Sequence, residues 1–342
     1  MMGSLRPAGS LPGRVADFAF LTRPMLLCVS TTFFFAGAAH GLSSPLEALT
    51  LEFLGAMAPN FSLLVLIVAS SFVINQVYDV ESDMLNEKNF HLTSGLVRRK
   101  EAAAFYVALC LAALLLALGR PSPARELGVA GLALGFAYSV PPLRLKGRPV
   151  ADMLANGLAF GFLAFALGWL ALLPYEGALL AGAAPYVAAM CAIFLNTTIP
   201  DRDGDRRAGD RTTCVALGPV AVARSALLLL AAAAALGFAT GEARCAIAAI
   251  ASLPAFIAVA VEPASPGSVL ASQFAGRAFF VVVSVAVPPL AIMGGLAYLV
   301  TRFYYSRRFG LDYPGMNGAS VKERRSVARA GICRNTRRRA GP

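Results

Sequence analysis

Asn75, Asp79 and Asp83 fall four residues apart in NQVYDVESD, where a long apolar run turns acidic. On an α-helix that step keeps all three on one side, drifting by about 40° each time. A second acidic stretch, IPDRDGDRRAGDRTT (199–213), also follows a long apolar run, and Asp201 and Asp205 repeat the step. Mg2+ prefers hard oxygen donors and bridges one or two carboxylates to phosphate oxygens while keeping some of its water. Diphosphate leaves poorly until its charge is neutralised, which a bound divalent ion does. Two carboxylate pairs at the ends of apolar helices therefore fit a site that holds Mg2+ against a diphosphate. Asp79, Asp83, Asp201 and Asp205 are the candidate metal-holding and catalytic residues, and Asn75 adds a neutral oxygen or an amide donor.

Cations complete such a grip through charge-assisted bonds to phosphate. Arg144 and Lys146 follow YSVPPL (138–143), where Pro141 and Pro142 end a helix. Arg23 sits just before Pro24, and Arg206 and Arg207 follow the second acidic cluster. The same cations also satisfy membrane topology, which collects Lys and Arg in cytoplasmic loops. Glu81, Asp203 and Asp210 lie off the four-residue face or further along and read as solvated. Asp152 and Asn156 either line the same pocket or are satisfied by a neighbouring helix.

The elements that position these residues are apolar. The 342-residue chain is 57% hydrophobic and only 14% charged, with a mean hydropathy of +0.66. Its long apolar runs predict an all-α, polytopic membrane protein of about nine helices bundled around a central cavity. The spans are expected near 24–41, 55–77, 102–119, 127–142, 153–173, 178–199, 216–240, 243–261 and 278–301. Loops after the second, fourth and sixth spans carry Lys88, Arg98, Arg99 and Lys100, then Arg144, Lys146 and Arg148, then Arg202, Arg206, Arg207 and Arg211. Loops on the other face hold Arg120, Arg125 and Arg244. The positive-inside rule then puts both acidic motifs in the cytoplasm, consistent with a bacterial inner membrane. Nine spans leave one conflict, because they send the basic C-terminus to the opposite side.

Net charge is +11, and residues 302–342, with eleven Lys/Arg against two Asp/Glu, supply +9 of it. A basic tail on a membrane protein suits anionic lipid headgroups better than nucleic acid. Residues 1–16 are expected to form a cytoplasmic segment, 17–301 the membrane domain and 302–342 a disordered tail. The N-terminus lacks the compact apolar stretch of a cleaved signal. Six cysteines form no CxxC pair, and His40 and His91 lack metal-ligand spacing, so neither disulfides nor thiolate or zinc chemistry is expected.

Together these motifs resemble the UbiA superfamily of intramembrane prenyltransferases. The family pattern N-x-x-x-D-x-x-x-D after the second helix corresponds to Asn75, Asp79 and Asp83, and D-x-x-x-D after the sixth to Asp201 and Asp205. GDRRAGDRTT resembles the family's G-D-x-x-x-G-x-x-T stretch, YSVPPLRLK its tyrosine-proline-basic segment and LTRP (21–24) its opening; Asn86 also fits. The family often has Arg-Pro shortly before the Ser-Gly that here is Ser94-Gly95, where this chain has Phe90 and His91. The resemblance covers about 17–301. It implies Mg2+-dependent transfer of a prenyl group from a prenyl diphosphate to a hydrophobic aromatic or lipidic acceptor in the membrane. Asp79, Asp83, Asp201 and Asp205 would hold Mg2+. Asn75, Arg23, Arg144, Lys146 and Tyr138 would bind the diphosphate. The acceptor classes it suggests are quinone precursors and chlorophyll- or carotenoid-like lipids. The rival readings are a membrane transporter, since intramembrane acids often mark ion paths, and a CDP-alcohol phosphotransferase. The latter's D-G-x-x-A-R block begins at Asp203-Gly204 but does not continue.

Overall fold

The computed structural model describes residues 11–85, 90–263 and 265–310, and every regular element among them is helical. The basic stretch from 311 onward, residues 1–10, and Asn86 and Lys88 lie outside the described residues. In chain order the helices are α1 (Leu11–Leu21), α2 (Pro24–Ala38), α3 (Leu51–Tyr78), α4 (Val80–Leu85), α5 (Phe90–Thr93), α6 (Arg99–Leu118), α7 (Ala124–Ser139) and α8 (Ala151–Asn156). They continue as α9 (Ala164–Trp169), α10 (Gly177–Thr198), α11 (Arg202–Arg207), α12 (Thr213–Leu217), α13 (Pro219–Ala239), α14 (Ala243–Val261), α15 (Ser265–Ala286) and α16 (Pro288–Phe309). A π-helical segment, Gly157–Leu163, joins α8 to α9, so the three form one span.

Among the described residues, eight helices are long and apolar enough to cross a membrane. The 16-residue α7 occupies the place of the short fourth span. This is the multi-pass membrane bundle that the apolar runs predict.

Helix ends follow local chemistry. Thr50 caps α3 by accepting a hydrogen bond from the Phe53 amide at 3.2 Å. Pro24, Pro219 and Pro288 open α2, α13 and α16, where the missing N–H costs nothing. Glycine in α2 and α9 lets two backbones touch. Ideal Cβ atoms on Gly37 and Gly168 would lie 2.0 Å and 1.8 Å from the carbonyl oxygens of Phe165 and Phe34. Membrane helices use small residues in this way because lipid supplies no hydrophobic force between helices.

The ninth expected span, 278–301, is corrected. It joins the second half of α15 to the first half of α16, across Val287-Pro288-Pro289. The two prolines remove ladder donors and end α15, although the hydrophobic run continues through them. Residues 265–277 (SPGSVLASQFAGR) are polar enough to conceal the true start of that span. The helical body also runs past residue 301, to Phe309.

α16 packs along α2 and α15 and meets the turn Glu47–Leu49, which lies between α2 and α3 at the end of the bundle away from Arg23. Its other end reaches α1, where Arg308 Nη2 lies 2.7 Å from Asp17 Oδ2. The chain therefore returns through the depth of the bundle. Residues up to 310 end on the same face as the acidic motifs, which removes the topological conflict left by nine spans.

Candidate active site

α3 ends at Tyr78 and α4 begins at Val80, yet the ladder hardly breaks. The Asp79 amide donates to the Asn75 carbonyl at 2.9 Å and the Asp83 amide to the Asp79 carbonyl at 2.7 Å. The three side chains thus keep the common side that their spacing predicts. After α10 the second motif repeats the device, with the Asp205 amide donating to the Asp201 carbonyl at 2.9 Å.

Both motifs converge. Asn75, Asp79, Asp83, Asp201 and Asp205 line one polar chamber of about 190 Å3, together with Arg23, Tyr138 and Lys146. Eight of the nine predicted site residues are therefore brought together. The ninth, Arg144, stands behind the wall. Its Nε and Nη2 donate to Asp210 Oδ1 and Oδ2, both at 2.9 Å, and Nη2 lies 3.7 Å from Asp79 Oδ1. Arg206 and Arg207 are exposed, as are Glu81 and Asp203.

Asp210 is a correction. It reads as solvated in the sequence, but its side chain is 11% exposed and lines the chamber. The turn after α11 folds it back, with its amide donating to the Asp205 carbonyl at 3.0 Å. The chamber therefore holds five carboxylates against Arg23 and Lys146. Thr197 and Thr198, also missed, line it too. Stepping back four and three residues from Asp201 along α10 finds both.

Backbone strain aims the cations. Only three non-glycine residues have positive φ among those described, and two are Arg23 (55°) and Arg144 (36°). Such conformations cost about 1–3 kcal/mol and gather at functional sites. At Arg23 the left-handed residue turns the chain from α1 into α2 and sends the guanidinium over the Phe72 ring, 5.7 Å from its centroid. Lys146 is buried and pairs with Asp79 Oδ1. Burial pushes its ammonium down to about 8, against the pull of the Asp210 and Asp205 carboxylates.

The chamber opens at its base. Arg23, Asn75, Tyr138, Phe194 and Thr197 are shared with a second, apolar cavity of about 320 Å3. Its walls include Ile67, Phe72, Gly131, Phe160, Leu163 and Met190. Phe72 and Phe160 stack across it with centroids 6.1 Å apart. The π-helical segment supplies Ala159, Phe160 and Leu163, and π-turns of this kind often mark functional sites.

The alternatives left open for Asp152 and Asn156 divide between them. Asn156 lines the apolar cavity and donates to the Tyr138 hydroxyl at 3.1 Å. Asp152 is fully buried and fastens the second motif. It accepts from the Thr213 amide and the Met153 amide, both at 2.7 Å, and from the Thr213 hydroxyl. Asp152→Asn turns an N–H2 towards these donors and leaves one unmet, a cost of about 1–3 kcal/mol. The expected result is a lower melting temperature in detergent, measured by fluorescence-detected size exclusion, in protein that still reaches the membrane.

Mg2+ fits this donor set, which is all hard oxygen with basic groups beside it. Among the described residues no three His, Cys, Asp or Glu side chains converge at single-ion spacing.

The UbiA prenyltransferase family model matches residues 27–267. A lycopene elongase/hydratase from Halobacterium salinarum is 37% identical over 146 residues, 42% of this chain and 52% of that protein. A probable homogentisate phytyltransferase 2 from Oryza sativa is 29% identical over 46% of this chain and 44% of its own. The chain spans about half the length of the curated relatives it matches. In solved structures the fold resembles a UbiA homolog from Archaeoglobus fulgidus bound to GPP and Mg2+, with a TM-score of 0.57 and 20% identity over 85% of this chain and 99% of that one. It also resembles a digeranylgeranylglyceryl phosphate synthase, with a TM-score of 0.59 and 17% identity over 81% and 98%.

Proposed function

Since this chain belongs to the UbiA prenyltransferase family, we propose that it transfers a prenyl group from a prenyl diphosphate to a hydrophobic acceptor within the membrane. One observation carries the reading: a carboxylate-lined polar chamber joined at its base to an apolar cavity. An amphiphile with a diphosphate head and an isoprenoid tail matches that pair of spaces. The names of the relatives, among them a lycopene elongase/hydratase, a homogentisate phytyltransferase and a coumarin geranyltransferase, support aromatic or lipidic acceptors.

Asp79, Asp83, Asp201 and Asp205 would hold Mg2+, with Asp210 completing the acidic wall. Mg2+, when bound, neutralises the diphosphate and makes it a leaving group. Asn75, Tyr138 and Arg23 stand at the junction between head and tail, where they orient C1 of the prenyl chain. Lys146 supplies positive charge to the diphosphate oxygens, and Arg144 holds Asp210 in place. As the C1–O bond breaks, the electron pair leaves with the diphosphate and positive charge spreads over the allylic carbons. The faces of Phe72 and Phe160 attract that charge. The acceptor's electron pair forms the new bond to the allylic carbon, and the acceptor then sheds a proton. The apolar lining of the cavity keeps water from competing. The loop charges support a cytoplasmic site in a bacterial inner membrane. Residues 17–301, extended to the end of α16, form one membrane domain in this reading.

The test is product mass spectrometry. Membranes carrying the protein are incubated with Mg2+, host lipid extract and prenyl diphosphates of several lengths. A prenylated species that needs the protein and disappears with chelator is the expected result, and its mass names the acceptor. Folded protein that yields no product with any donor and does not bind prenyl diphosphate with Mg2+ overturns the assignment.

A further inference from the structure

Four polar side chains from three different elements meet outside the polar chamber. Asp17 comes from α1, His91 from α5, and Tyr304 and Arg308 from the C-terminal end of α16. Asp17 is 1% exposed and His91 2%. The Tyr304 hydroxyl donates to Asp17 Oδ1 at 2.6 Å, and His91 Nε2 lies 2.9 Å from the same hydroxyl oxygen. Arg308 closes on Asp17 through two bonds, Nε to Oδ1 at 3.0 Å and Nη2 to Oδ2 at 2.7 Å.

The bonding is internally consistent. Tyr304 has one hydroxyl proton and gives it to Asp17, so His91 donates its Nε2–H to the Tyr304 oxygen. Burial depresses the His91 imidazole to about 4, which keeps it neutral. Asp17 and Arg308 then balance each other's charge. Aromatic packing holds the hydroxyl in place: the rings of Phe20 and Tyr304 stack at 3.7 Å, and Phe309 stands edge-on to His91.

Two routes lead from this cluster to the chamber. Along α1, the Leu21 carbonyl accepts from Gln76 Nε2 at 2.7 Å, and Arg23 follows two residues later. On the α5 side, Leu92 and Val97 pack with Leu21 against Val73, Ile74 and Val77, the residues of α3 that flank Asn75. The cluster thus fixes from outside the two segments that border the first acidic motif. No chemistry in the proposed reaction uses it, and a buried polar network whose members are bonded rigidifies the elements it joins.

We propose that Tyr304 is a positioning residue: through it the end of α16 clasps α1 and α5 together, which sets the placement of Arg23, Asn75 and Asp79 and hence the grip on Mg2+ and diphosphate. This rests on the prenyltransferase reading for its link to catalysis, while the clasp itself can be tested without it.

Tyr304→Phe keeps the stacked ring and deletes the shared hydroxyl. Full-length protein in detergent is compared with wild type by amide hydrogen exchange and by the Mg2+ dependence of transfer from geranylgeranyl diphosphate. Exchange over residues 91–97 is expected to rise roughly fivefold to tenfold, the factor for losing a hydrogen bond of ordinary net strength. Exchange in α13 and α14 is expected to stay unchanged. The Mg2+ concentration for half-maximal transfer is expected to rise severalfold, whereas a purely structural role lowers the yield of folded protein and leaves that concentration alone. Arg308→Lys, which keeps the charge but loses the two-bond geometry, gives the same pattern at smaller size and covers the case in which Tyr304→Phe fails to fold. Wild-type exchange and Mg2+ dependence in both variants overturn the proposal. If wild type itself transfers nothing, the functional reading falls, and the exchange result still decides the clasp.

Discussion

Asn in place of Asp83 is expected to lower prenyl transfer by about 10²–10³, the size found when one preorganised electrostatic group is removed from a reacting centre. Asp83 is 8% exposed and lines the chamber opposite the second motif. The substitution keeps volume but exchanges one carboxylate oxygen for an N–H2 group, so the loss reports the missing charge and metal-holding oxygen. Asp205→Asn removes a carboxylate from the other motif, and its effect is expected to match. Combining the two is expected to cost less than the product of the single effects, because both act on the same ions and diphosphate. The check is initial transfer rates at saturating Mg2+, normalised to folded protein by size exclusion. Full activity in Asp83→Asn removes the carboxylates from the mechanism.

The largest effect on stability is expected at the crossing of α2 and α9. Gly37→Ala puts a methyl group where the Phe165 carbonyl oxygen already sits, and Gly168→Ala does the same to the Phe34 carbonyl. Backbone cannot move aside as a flexible side chain can, so the two helices must separate. Overpacking in a filled interior costs about 1–3 kcal/mol and occasionally more, and backbone collisions belong at the upper end. α9 carries on from the π-helical segment that lines the apolar cavity, so opening this crossing also shifts Phe160 and Leu163. Fluorescence-detected size exclusion after a heating series is the measurement. Either variant is expected to aggregate at markedly lower temperature than wild type. A control at Gly276, whose added Cβ meets nothing within 4 Å, is expected to be neutral at this crossing.

The acidic motifs were legible because the four-residue step is a local property that survives the break between α3 and α4. Long apolar runs exposed the membrane fold for the same reason: hydropathy is summed over one segment. What stayed hidden depends on contacts between segments. Asp210 reads as a solvated loop residue until the turn after α11 brings it against Arg144. His91 offers no metal spacing, and its partner Tyr304 lies 213 positions away. The last helices were misplaced because hydropathy continues through Pro288 and Pro289 while hydrogen bonding does not. With α15 and α16 as separate helices, residue 310 lies on the face of the acidic motifs, opposite to where nine spans place it.

A prenyltransferase chamber cleaves the prenyl diphosphate, whereas a transporter moves it intact. Purified protein in liposomes, given geranylgeranyl diphosphate, Mg2+ and a lipid extract as acceptor source, allows free diphosphate to be measured against time. Diphosphate release in equal amount with a prenylated lipid, stopped by chelator and by Asp83→Asn, is the expected result. Folded protein that carries the substrate across the bilayer with its diphosphate still attached, and releases none, contradicts it.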